Sequence, residues 1–209
     1  MTGAVLTAWI AQGYEVGPLG YPTGDPRTVA GGTVQDFQGG TLYSHPAAGT
    51  RTVGTAYAAA HQAAGGPAGP LGYPTSGLIC GLRGGGCGQV FQGGRIYSTT
   101  ATGAHAVSGA IQDAWIAQGW ETGALGYPTG EARTVAGGTT QDFQGGSITT
   151  SAATGTHTVL AAYQTPLQAA GGVTGPLGLP VTDLICGMRS SGCGQVFQGG
   201  RIYSTPTTG

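Results

Sequence analysis

The sequence predicts a repeat protein, mainly β with short helices, in which four helix-plus-three-strand repeats close into a propeller-like disc; an open solenoid is the alternative arrangement. Three observations lead there. A stretch of about twenty residues, LGYPTGDPRTVAGGTVQDFQGG from Leu19, returns from Leu71, Leu125 and Leu177. The copies lie 52, 54 and 52 residues apart, and the first matches the third as the second matches the fourth, so the true unit is an unlike pair with a period of 106. Between copies, apolar residues switch from helical spacing to strand alternation.

The repeats run approximately over 1–50, 51–103, 104–156 and 157–209 and form one domain over 1–209, because units this small bury their apolar faces only against neighbours. Met1 aligns with Val107 and Gly209 with Gly103, as in a ring cut once or in a piece of a longer array. The distance between Thr2 and Thr208 separates ring from stack. A closed ring also leaves no terminal sheet edge exposed, which favours the disc.

Each repeat opens on a short helix. In TGAVLTAWIAQGYE, Val5, Leu6, Trp9 and Ile10 share a face and Gly13 stops the helix. VSGAIQDAWIAQGWE repeats the pattern with Val107, Ile111 and Trp115, while TVGTAYAAAHQAAGG and TVLAAYQTPLQAAGG are weaker versions; Pro166 is expected to kink or shorten the last. A glycine-rich turn then leads to LGYP or LGLP, where the residue before proline is extended. In the plain repeat, strands are predicted over 27–30, 33–37 and 41–44, with hairpin turns at Gly31-Gly32 and Gly39-Gly40. In the other repeat, 78–80 and 88–91 flank a cysteine-bearing insert.

Only 7% of residues are charged and the net charge is −1, which excludes a phosphate-binding surface and so nucleic acid as a partner. No apolar run is long enough to enter a bilayer, and no basic-plus-apolar leader opens the chain. Cys80 and Cys87, and their echoes Cys186 and Cys193, have six residues between them and no nearby histidine or CxxC step, so two disulfides are expected rather than a metal. Such bridges belong to an oxidising, extracellular setting.

The recurrent LGYP, followed by FQGG and then LYS or IYS, resembles the LGFP repeat family across all four copies, and the helix ending in QGYE or QGWE matches that family's lead-in. Tyrosine or leucine stands for the name-giving phenylalanine, and the cysteine repeats lack the lead-in. The family is found appended to secreted actinobacterial proteins, including mycoloyltransferases and peptidoglycan hydrolases. The resemblance implies a non-catalytic carbohydrate-binding module, extracellular and cell-wall associated, with cell-wall polysaccharide (arabinogalactan) as partner and an enzyme domain possible elsewhere in a full-length protein. From another class, low charge also suits a self-associating structural or surface-matrix protein.

Sugars are held by an aromatic face on the CH side and by carboxylate, amide or guanidinium groups on the hydroxyls. Tyr14-Glu15 and Trp120-Glu121 pair an aromatic with an acid after a helix; the plainer reading packs the ring on LGYP and leaves the acid in water. Asp36 and Asp142 lie next to Phe37 and Phe143 on a strand, so acid and aromatic point to opposite faces, with the phenylalanine in the core and the aspartate exposed, capping a turn or holding a hydroxyl. Tyr43, Tyr97 and Tyr203 follow the second turn, and Arg95 and Arg201 stand at the same hairpin tip in the cysteine repeats; packing and solvation are the alternatives to ligand contact. Tyr21, Tyr73 and Tyr127 read as structural, as do Trp9 and Trp115. No cofactor is expected. With eight acids in the chain, and almost none of them in the cysteine repeats, no carboxylate pair of the glycosidase kind is evident and no enzyme activity is expected.

Overall fold

The computed structural model describes residues 3–206. It comprises two compact units, residues 1–108 and 109–209, each holding a plain repeat followed by a cysteine repeat. The first contains α1 (Gly3–Ala11), β1 (Arg27–Val29), β2 (Gly32–Phe37), β3 (Gly40–His45), β4 (Gly49–Gly54), α2 (Thr55–Ala63), β5 (Ile79–Leu82), β6 (Gly86–Val90), β7 (Gly94–Thr99) and β8 (Gly103–Ser108). The second contains α3 (Gly109–Ala117), β9 (Arg133–Val135), β10 (Gly138–Phe143), β11 (Gly146–Ser151), β12 (Gly155–Leu160), α4 (Ala161–Ala169), β13 (Ile185–Met188), β14 (Gly192–Phe197) and β15 (Gly200–Ser204).

Every repeat forms its own antiparallel meander, four-stranded in the first three and three-stranded in the last. The fourth strand corrects the three-strand expectation. Residues 52–54, where the sequence predicts the start of a helix, instead pair along β3, with Leu42 opposite Thr52 and Thr41 opposite Val53. Their alternating Thr and Val favour the pleat, and Val53, Val107 and Val159 are fully buried on its inner face. The helix then starts at once, with no loop. None of the four sheets closes on itself among the described residues, and Thr2 and Thr208 lie outside them.

Both predicted hairpin turns shift by one residue. Val29 pairs with Gly32, so the first turn is Ala30-Gly31, and both residues take positive φ (44° and 82°). Phe37 pairs with Gly40, so the second turn is Gln38-Gly39. Gly39 serves a different need, close approach: a Cβ there would lie 2.0 Å from the Pro18 carbonyl oxygen. Gln38 ties the same two segments together, its Oε1 accepting the Tyr21 amide at 3.0 Å. Gln92, Gln144 and Gln198 do likewise for Tyr73, Tyr127 and Leu179. An isolated bridge between Pro22 and Phe37, repeated in all four copies, completes the link between the LGYP and FQGG motifs.

Repeats cover one another within a unit, as their size requires. One core joins Val34, Tyr43 and Val53 of the first sheet to Tyr57, Leu71, Tyr73, Phe91 and Ile96 of the second repeat. The buried Gln89 crosses the same seam, donating from Nε2 to the carbonyls of Thr52 (2.9 Å) and Ser76 (3.0 Å). In the second unit Val159 meets Tyr163, Leu167 and Phe197, and Gln195 donates to Thr158 and Thr182, both at 2.8 Å. Pro166 does not shorten its helix: α4 has nine residues, as do the other three.

The cysteines are bridged as expected, Cys80 to Cys87 and Cys186 to Cys193, directly across the β5–β6 and β13–β14 ladders with Cα atoms 4.1 Å apart. No helix among the described residues is long and apolar enough to cross a membrane.

Candidate functional site

Two residues beyond each of α1 and α3 stands a glycine with φ of 92°, Gly13 and Gly119. The next residue is also left-handed: Tyr14 has φ of 55° and Trp120 has φ of 59°. Bulky side chains seldom occupy this region, and each costs of order 1–2 kcal/mol there. The aligned residues of the cysteine repeats are Gly66 and Gly172, with φ of 61° and 68°, which meet no such penalty. All four repeats therefore share the turn, and only the plain repeats mount an aromatic ring on it.

The ring is held from beneath. Tyr14 stands edge-on to Trp9 at 5.4 Å, and Trp9 leans on Phe37 at 5.9 Å. Trp120, Trp115 and Phe143 repeat the stack at 5.9 and 5.8 Å. Each supporting indole is fixed by its Nε1–H, which donates at 3.0 Å to the Gly20 or Gly126 carbonyl of the LGYP motif. Trp9 and Trp115 are thus structural, as expected, yet they are also the bed of an exposed ring: Tyr14 is 46% accessible and Trp120 half-exposed. Glu15, exposed, and Glu121, half-buried, follow directly. An aromatic face beside a carboxylate can stack on a sugar ring and accept from its hydroxyls.

The other sequence candidates do not join this site. Asp36 and Asp142 are held by Arg27 and Arg133 across the neighbouring strand. Burial works against the Asp36 carboxylate, but hydrogen bonds from Arg27 and Thr41 outweigh it and keep its pKa below the usual carboxylate range. Tyr43 is wholly buried, its hydroxyl meeting His61 and Gln62, and Tyr97 is buried too, so neither ring has a face open to a ligand. Arg95 is half-buried on β7. Arg201 and Tyr203 lie together at the surface of β15, with Nη1 donating to the tyrosine hydroxyl at 3.2 Å. Tyr73 and Tyr127 are buried, as structural residues should be, while Tyr21 is exposed.

A groove of about 420 Å³ opens in the first unit beside Thr28, Thr33, Ser44, His45 and Thr50, residues that sequence reasoning had not grouped. Hydroxyl groups line it, and it lacks the aromatic platform of Tyr14. The described residues contain no cluster of three or more metal-ligating side chains.

The family model of the LGFP repeat matches residues 19–69, 71–123, 125–175 and 177–209. No curated protein matches the chain.

Proposed function

The chain belongs to the LGFP repeat family, and from that premise we propose that it is a non-catalytic carbohydrate-binding module acting outside the cell on wall polysaccharide, an arabinogalactan-like glycan. The main support is the pair of left-handed aromatics, Tyr14 and Trp120, kept at a conformational cost at positions where the cysteine repeats carry glycine. Strain of this kind persists where a side chain is needed for more than packing. Each ring has a carboxylate next to it, and there is one such site in each unit. Two weak sites on one chain reinforce each other on a polymer that presents the same sugar many times. The two disulfides suit an oxidising compartment.

Isothermal titration against purified wall arabinogalactan tests the proposal. Binding by the intact chain is expected, with affinity falling sharply when the polymer is replaced by a short oligosaccharide. Absence of heat with polymer and oligosaccharide alike would sink it.

A further inference from the structure

We propose that the outer edge of β15 is an acceptor for one more extended strand, of the kind that forms β4, β8 and β12. Those strands read GTRTVG, GAHAVS and GTHTVL, with glycine first, arginine or histidine third and valine fifth. Each lies along the third strand of its sheet in one register, which in the second repeat sets Tyr97 opposite His105 and Arg95 opposite Val107. β15 matches β7 residue for residue over its length, GRIYS in both, yet among the described residues its sheet ends there.

The side chains register the difference. Tyr97 is 6% accessible on β7 and Tyr203 is 57% accessible on β15. Gly94 and Ile96 are buried while Gly200 and Ile202 are half-buried, and Arg95 is half-buried while Arg201 is exposed. A Cβ on Gly94 would meet the Val107 carbonyl oxygen at 2.7 Å and Leu71 at 2.4 Å; the same atom on Gly200 meets Leu177 alone. Leu177 is accordingly half-buried, where Leu19, Leu71 and Leu125 are at most 1% accessible. Valine from a fourth strand is fully buried in all three complete sheets, so the same side chain would seat opposite Arg201, with the third-position cation opposite Tyr203.

The backbone is set for this. Phe197 and Gly200 close a two-residue hairpin and so bond each other, as do Gln195 and Ile202; strand alternation then turns the amides and carbonyls of Arg201 and Tyr203 outward. An open edge of this type takes an extended segment through main-chain hydrogen bonds, and side-chain pockets select its sequence.

The test adds a synthetic peptide, TGAHAVSG, to the isotopically labelled chain and follows backbone amide shifts and hydrogen exchange. Shift changes confined to β14 and β15 are expected, with exchange at the Arg201 and Tyr203 amides slowed by about tenfold or more at saturation. A peptide with aspartate in place of the valine should do neither. Three outcomes would overturn the proposal: no perturbation at millimolar peptide, equal response to the aspartate peptide, or protection of those two amides that grows with protein concentration alone, which would mean that a second copy occupies the edge.

Discussion

The Tyr43 hydroxyl donates to Nδ1 of His61 at 3.1 Å, joining the first repeat's third strand to the helix that opens the second. The donor is the tyrosine because His61 uses its Nε2–H for the Gly72 carbonyl at 2.8 Å, which can only accept. His61 thus does at position seven of α2 what Trp9 and Trp115 do in α1 and α3, anchoring the glycine of the LG motif. In α4 the position is Leu167, and the tyrosine's place is taken by Thr149.

This pair makes the first unit sensitive to acid. Burial lowers the His61 pKa below its ordinary value, with the Gly72 hydrogen bond opposing only in part. The folded chain then binds this proton less readily than the unfolded chain, whose histidine titrates near ~6.5. Stability contributed by neutral His61 is therefore complete above that pH and is lost as pH falls below it. Urea unfolding at pH 7.5 and pH 5 should show the decline. His61→Leu should flatten that part of the slope while costing about 1–3 kcal/mol at neutral pH, since the Tyr43 hydroxyl and Gly72 carbonyl lose their partner.

Gly39→Ala should be among the most damaging small substitutions, because the added methyl would sit 2.0 Å from a carbonyl oxygen. A loss of more than ~3 kcal/mol is expected. Gly24→Ala is the matched control: a Cβ there meets nothing within 4 Å, and stability should hold or rise by about 0.5 kcal/mol. Thermal melts of the two variants side by side decide it.

Gln89→Ala removes both donors that reach the Thr52 and Ser76 carbonyls in a buried seam. The expected cost is about 2 kcal/mol. Hydrogen exchange should rise first in β4 and β6, where the repeats are joined, before it rises elsewhere.

Replacing Cys80 and Cys87 together with serine should lower stability by about 2 kcal/mol, the entropy that a short closed loop withholds from the unfolded chain. Thiol titration of the unfolded, unreduced parent should find none; four would contradict the pairing.

Much of this fold could be read from the repeats. The 106 period, the helix positions, the strand cores and the disulfide pairing all follow from spacing and alternation. The fourth strand was hidden because Thr-Val residues run without a turn into the next helix, so a strand and a helix start share one apolar run. The turns were misplaced by one residue because Gly-Gly satisfies two needs that sequence cannot tell apart: Gly31 supplies positive φ, while Gly39 supplies room for the Pro18 carbonyl. At the site, the Tyr14-Glu15 and Trp120-Glu121 pairs were visible. Their left-handed backbone was not, although glycine at aligned positions 66 and 172 was its signature. Tyr43 and Tyr97 could not be separated from Tyr203 by sequence, since burial there depends on what lies along the strand edge.

The most direct measurement pairs binding with stability for the double variant Tyr14→Gly, Trp120→Gly. Glycine relieves the left-handed strain and gives up one edge-on ring contact and some chain entropy, effects of about 1 kcal/mol each with opposing signs, so the melting midpoint should barely move. Titration with wall arabinogalactan should then show binding abolished in the double variant and weakened in each single one. Full affinity retained by a well-folded double variant would contradict the assignment of these two rings as the sugar platform.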